Sequence, residues 1–182
     1  MRFATVLALL MLTSFACGGE SLHQVFNADQ CGSCHADQHR EWRASAHAQS
    51  DTSPVFQAML PKVEAAWGPV ARAQCVACHA PAFGEDRVIG CVACHAAIGN
   101  QGEANGALVV KPAGPLSART PTHAPHQVEA RSFLTSDSLC GTCHEVHGPG
   151  LLDEPTLTEF RNSPAAGGEG CLQCHGATGH EL

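Results

Sequence analysis

Tyrosine is absent from this 182-residue chain, and lysine occurs twice, as Lys62 and Lys111. Aromatic residues make up 5% of it, from seven phenylalanines and two tryptophans. No tyrosine means no phenolic acid, base or cross-link in any site. So few large apolar side chains also argue against a conventional core for this length. No run approaches the ~20 apolar residues that a membrane-spanning helix needs. No long alternating pattern predicts a large sheet. Positive charge is scarce: ten Lys and Arg stand against seventeen Asp and Glu, a formal net charge of −7. That balance disfavours nucleic acid as a partner.

Cysteine and histidine are abundant instead, at eleven and twelve. Ten of the cysteines fall in five Cys-x-x-Cys-His motifs. These are Cys31-Cys34-His35, Cys75-Cys78-His79, Cys91-Cys94-His95, Cys140-Cys143-His144 and Cys171-Cys174-His175. Composition alone would produce such a motif about 0.04 times per chain. The spacing suits covalent attachment of haem c. One backbone turn presents two thiols to the vinyl groups of one porphyrin edge, and the histidine that follows becomes the proximal iron ligand. Zinc knuckles would share thiolates between pairs and do not require a histidine after every pair. A disulfide framework does not require it either. Redox-active thioredoxin-type pairs would need a βαβ context that is missing. The motifs therefore predict five haem c groups.

The N-terminus supplies the compartment that haem attachment needs. Arg2 is followed by an apolar stretch over 3–12, of signal-peptide length. Cleavage after Ala16 leaves Cys17, the one cysteine outside a haem motif. Cys17 stands where a lipoprotein carries its lipidated cysteine, although Ser14 replaces the usual leucine. Ordinary signal-peptidase cleavage of the same bond is the alternative. The expected organisation is a signal peptide over 1–16, a lipid-anchored tether over 17–30 and a pentahaem domain over 31–182. Loss of Arg2 leaves nine basic and seventeen acidic residues, a net −8. The acidic surface predicts redox partner proteins with basic docking patches.

The fold class read from this pattern is mainly α with extensive loops, with stacked haems as the core. Helices are predicted over 36–49, over 54–67 with breaks at Pro61 and Gly68-Pro69, over 127–139 and over 156–162. Residues 99–125, rich in Gly, Pro and Ala, read as loop. The second and third motifs both begin Cys-Val-Ala-Cys-His-Ala, only sixteen residues apart. A weak internal echo aligns Glu41-Trp42-Arg43-Ala44-Ser45-Ala46-His47 with Glu159-Phe160-Arg161-Asn162-Ser163-Pro164-Ala165. Only the first copy ends in histidine.

Three of these features carry a family resemblance. They are the first motif with Glu41-Trp42-x-x-Ser45-x-His47, the close second and third motifs with Val88-Ile89-Gly90 between them, and the last motif with a histidine soon after. Together they resemble the cytochrome c-554 family of multihaem cytochromes, over most of 28–180. The resemblance implies a helical, loop-rich fold around stacked haems and electron transfer in the periplasm. Five motifs depart from that family's usual four.

Seven histidines remain for the distal side of the irons. His47 matches the family's Ser-x-His position. His147 follows His144 by three residues and would serve a neighbouring haem. His180 follows the last motif across a short Gly-rich loop. His123 and His126 flank Pro125, and His23 could reach back from the N-terminal segment. His39 reads as a solvent-facing residue. Met59, the only mature methionine, reads as a core filler. The expectation is an exported electron carrier with mostly bis-histidine, low-potential haems, in the periplasm or at the outer membrane or cell surface. A homo-oligomer or filament with haem contacts between subunits also fits so thin a core. A multihaem oxidoreductase acting on nitrite or hydroxylamine-like substrates is the alternative, and a gas-binding haem sensor is the second. Every motif ends in histidine and none is followed by lysine, which favours the carrier.

Overall fold

The computed structural model describes residues 27–81, 87–111, 113–121, 123–148, 153–168, 170–176 and 179–180. The export segment 1–16, Cys17, His23 and most of the expected tether lie outside the described residues. Short helices and loops dominate. In chain order come α1 (Ala28–Gly32), α2 (Ala36–Ala44), α3 (Pro54–His79) and α4 (Cys91–His95). Then follow β1 (Ala97–Asn100), β2 (Leu108–Val110), β3 (Leu116–Ala118) and β4 (Val128–Ala130). Last come α5 (Asp137–Gly141), β5 (Val146–His147), β6 (Asp153–Glu154), α6 (Thr156–Arg161) and α7 (Cys171–His175). The strands form three two-stranded sheets, β1–β2, β3–β4 and β5–β6. Among the described residues, no helix is long and apolar enough to cross a membrane.

Each motif sits on or at the end of a helix, because one turn brings its second thiol and its histidine back beside the first thiol. The His35 N–H donates to the Cys31 carbonyl at 2.8 Å, and the His144 N–H to that of Cys140 at 2.9 Å.

The 36–49 segment is α2 followed by a separate 3-10 turn at His47–Gln49. Pro61 does not end α3. Pro61 and Gln57 are both exposed, so water can take the Gln57 carbonyl that proline leaves without a donor. Gly68 does break the axis, with φ 83° and ψ 178°. Only glycine adopts that conformation without strain, and the following Pro69 restarts the helix. The 99–125 segment is not all loop, since it holds half of β1 and all of β2 and β3. The 127–139 segment is not one helix. It is β4, a 3-10 turn over Ser132–Thr135 and the start of α5.

The internal echo is structural. In both copies a serine stands between a helix and the 3-10 turn that follows it. The Ser45 N–H donates to the Trp42 carbonyl, and the Ser163 N–H to that of Phe160, each at 2.9 Å. The match extends to the preceding motif. Gly32 lies under His39, and Gly141 lies under Leu157, the residue aligned with His39. A Cβ would fall 2.6 Å from His39 Cγ in the first case and 2.3 Å from Leu157 Cδ2 in the second. His39 is therefore not solvent-facing, and its side chain is 18% exposed. Its Nε2 lies 2.9 Å from Asp29, and its ring packs on Trp42. Gly141→Ala is expected to lower stability by about 1–3 kcal/mol, because Leu157 is buried and has no room to give. A thermal melt of the holoprotein measures it.

The apolar interior is thin. Among the described residues the buried apolar side chains are Phe56, Leu60, Val63, Val92, Leu134, Leu157 and six alanines. An alanine buries little area, so half of these positions contribute little hydrophobic stabilisation.

Candidate haem centre

The histidines sort into pairs. His35 and His126 have ring centroids 6.2 Å apart, His47 and His144 6.3 Å, and His95 and His180 6.1 Å. Each pair joins one motif histidine to one of the histidines left over. Two imidazoles sharing one metal ion stand roughly 6.3 Å apart by centroid, from bonds of about 2.0 Å and ring radii of about 1.15 Å. The donor set and the spacing thus fit iron held between two imidazoles.

Local structure explains how each distal histidine arrives. His47 opens the 3-10 turn after Ser45, whose side-chain oxygen accepts the Ala48 N–H at 3.4 Å. Burial, and then the neighbouring His144, push the His47 pKa down, so the ring stays neutral with a lone pair for a metal. His126 comes from the 119–127 connection between β3 and β4. These strands pair in parallel, with Leu116 against Val128. Parallel strands ordinarily need a crossover of a dozen or more residues, and this shorter return runs through Pro121 and Pro125. His180 is fixed by Glu41, whose carboxylate accepts the His180 N–H at 2.9 Å.

Backbone carbonyls orient two of the motif rings. His95 Nδ1 donates to the Ser117 carbonyl at 2.7 Å, and His79 Nδ1 to that of Ser50 at 3.2 Å. A carbonyl only accepts, so Nδ1 carries the proton and Nε2 keeps its lone pair. Burial lowers the His95 pKa against the Ser117 hydrogen bond, helped by His180, His35 and His126. The first and third motifs are therefore electrostatic neighbours. The His79 ring stacks on Phe56 at 4.2 Å and 13°. The buried Ser117 hydroxyl, 1% exposed, has no protein partner among the described residues and is a spare donor beside the His95–His180 pair. His175 ends α7 and is exposed.

Other predicted ligands are placed elsewhere. Both ring nitrogens of His147 face carboxylates, Nδ1 at 2.7 Å from Asp153 and Nε2 at 3.3 Å from Glu145. These carboxylates raise its pKa, Asp153 foremost. His123 is exposed and lines an open recess with Ala124 and Pro125. Met59 is 47% exposed on α3, so it is not a core filler.

The thiols of different motifs meet. Cys143 shares a hydrogen bond with Cys78, which with burial drives the Cys143 pKa far up. Cys140 shares one with Cys171, and Cys94 lies close enough to both Cys140 and Cys143 to raise their pKa values. Burial takes Cys94 itself to about 11. The fourth motif is thus in touch with the second, third and fifth. Gly106 makes room for this junction. A Cβ there would fall 3.0 Å from Cys78 Sγ, and its N–H donates to the Thr142 carbonyl at 2.7 Å. Among the described residues no three His, Cys, Asp or Glu side chains converge as a bare metal-ion site would require.

Nothing in the sequence signals the parts played by Ser50, Phe56 and Ser117. Two of these act through backbone carbonyls, which carry no residue signature. Trp42 was visible as part of a motif, but its task was not. Its indole N–H donates to the Ile89 carbonyl at 2.9 Å, tying α2 to the approach of the third motif.

Residues 30–96 match the family model described as Cytochrome c554 and c-prime. No curated protein matches the chain. Among solved structures, a penta-heme cytochrome c552 from Thermochromatium tepidum superposes with a TM-score of 0.60 at 21% sequence identity. The match covers 86% of this chain and 55% of that one, so this chain spans little more than half of that protein's length. Residues 30–96 are thus similar to the cytochrome c554 and c-prime family, and the chain has the fold of a multihaem c-type cytochrome.

Proposed function

We propose that this chain is an exported electron-transfer protein carrying five haem c groups, one at each Cys-x-x-Cys-His motif. The observation that carries the reading is the set of three imidazole pairs, each at the separation of two ligands on one iron. Bound haem c supplies a one-electron ferric–ferrous couple. The ten motif cysteines tether it through thioethers. His35, His79, His95, His144 and His175 would hold the irons, with His126, His180 and His47 as second imidazole donors for the first, third and fourth. Two imidazoles on an iron favour its ferric state more than a histidine–methionine pair does, so these centres belong at low potential. Ser117 and Ser50 hold the imidazole tautomers at His95 and His79 through their carbonyls. His23, His123 and His147 remain the candidates for the second and fifth motifs.

The acidic balance of the chain supports docking to a redox partner with a basic patch. Diacylglycerol on Cys17 would hold the mature protein at a membrane surface.

Intact mass of the exported protein, joined to a potentiometric titration, tests the reading. The expected result is a mass increment of five haems, lipid on Cys17 and five one-electron steps. Fewer haems would sink the five-haem assignment. Turnover of nitrite or hydroxylamine by the purified protein would replace the carrier with the enzyme.

A further inference from the structure

Asp137 stands on the fourth attachment helix and reaches the fifth. It is the first residue of α5, one turn ahead of Cys140. Its Oδ1 accepts the backbone N–H of Cys171, the first residue of α7, at 2.9 Å. The approach is close: a Cβ on Gly170 would lie 2.8 Å from the same oxygen, so any larger residue there would displace the Asp137 carboxylate. The Cys171 thiol also lies against this carboxylate and against the free thiol of Cys140. Burial first, and Asp137 next, push the Cys171 thiol up to about 12. Arg161 feels the Asp137 charge, but its guanidinium is engaged by both carboxylate oxygens of Glu103, at 2.6 and 2.9 Å. Among the described residues Asp137 therefore has no fork-shaped cation of its own.

A carboxylate beside two attachment sulfurs acts on whatever both sulfurs carry. It favours the more positive, ferric state of an adjacent iron centre. The geometry points to Asp137 as a shared positioning residue that docks the fifth attachment helix against the fourth and lowers the potential of both haems held there. This rests on the five-haem reading.

Asp137→Asn keeps an oxygen to accept the Cys171 N–H and removes the charge. In a spectropotentiometric titration of the holoprotein, two of the five one-electron components are expected to move upward. At a fixed potential the ferric-to-ferrous ratio of each should fall about tenfold, and the other three should stay in place. Glu64→Gln removes an equal charge from the exposed Glu64–Arg72 pair on α3 and is expected to move none. No movement in Asp137→Asn would overturn the inference. So would movement of one component alone, or of all five together.

Asp137→Ala also removes the acceptor. Its intact mass is expected to fall one haem short, while Asp137→Asn keeps all five. Five haems in Asp137→Ala would overturn the docking role. A wild-type mass short of five would overturn this inference and the five-haem reading together. Five haems with unmoved potentials would overturn only the role of Asp137.

Discussion

Without attached haem the chain is expected to have no cooperative fold. Its helices are mostly too short to stand alone. Four of the five motif-bearing helices, α1, α4, α5 and α7, have five residues each. Isolated helices below ~12 residues are marginal in water, because nucleation is unfavourable and few bonds follow it. Each sheet has two strands, and such pairs need a packed apolar face to persist. That face is thin here, since six of the twelve buried apolar residues among those described are alanine. A fully buried Leu or Phe contributes about 1.5–3 kcal/mol, and an alanine much less. Ordering the backbone costs about 1–2 kcal/mol per residue, so the missing apolar contact has to come from the porphyrins. The test is a variant with all ten motif cysteines changed to serine, followed by far-UV circular dichroism and calorimetry. Low helicity and no unfolding peak are expected. A cooperative transition with an enthalpy near about 0.7 kcal/mol per residue would show that the polypeptide folds alone, and would refute the idea.

The same thinness decided what could be read from sequence. The five motifs were legible because covalent chemistry fixes their spacing whatever surrounds them. α6 was legible too, since a helix-forming run stops before Pro164 and the Gly167-Gly168 pair. The 127–139 segment was not, because Val128, Glu129 and Ala130 form a strand only through pairing with Leu116 to Ala118 across the chain. Nothing local in either run announces a parallel pair. α3 runs further than its prolines suggest, because Pro61 and the Gly68-Pro69 pair are not equivalent. Pro61 sits on an exposed face where water can substitute for the lost donor, whereas Gly68 takes a positive φ and breaks the axis.

At the candidate site, His47 stands out in the sequence because it matches the resembled family's Ser-x-His position, and His180 because it closely follows a motif; the structure sets their rings beside His144 and His95. His126 could only be narrowed to the stretch around Pro125. His39 misled because its partner is a glycine in the preceding motif, and glycine carries no signal of what will rest on it. Glu41 and Asp137 act alike: a carboxylate on one element grips the backbone N–H of a segment far away in sequence, His180 or Cys171. Pairing of that kind cannot be inferred from either partner alone.

On the five-haem reading proposed above, replacing His47 should convert one low-spin haem to high spin while all five stay attached. The fourth motif supplies its own thioethers and His144, so attachment does not depend on His47. The opposite side of that iron does. His47 is the histidine whose ring stands 6.3 Å from His144, with the two planes crossed at 61°. Ser45, 5% exposed, anchors the turn that delivers it, so another side chain will not easily swing into its place. The second copy of the same helix-to-turn unit has Ala165 at the aligned position, and that backbone tolerates the small residue in an equivalent 3-10 turn. His47→Ala should therefore preserve the fold and delete only the ligand. Intact mass is expected to be unchanged apart from the substitution. Electron paramagnetic resonance of the oxidised protein should gain one high-spin signal. Crossed imidazole planes give a strongly anisotropic low-spin signal, so the lost component should be of that type. The near-parallel His95–His180 pair, at 17°, should keep its rhombic one. The fourth haem's potential should rise as a donor imidazole is lost. Added imidazole should restore the low-spin state by binding in the vacated position. If His47→Ala stays wholly low-spin without imidazole, His47 is not the ligand opposite His144, and the pairing read from the ring separations fails.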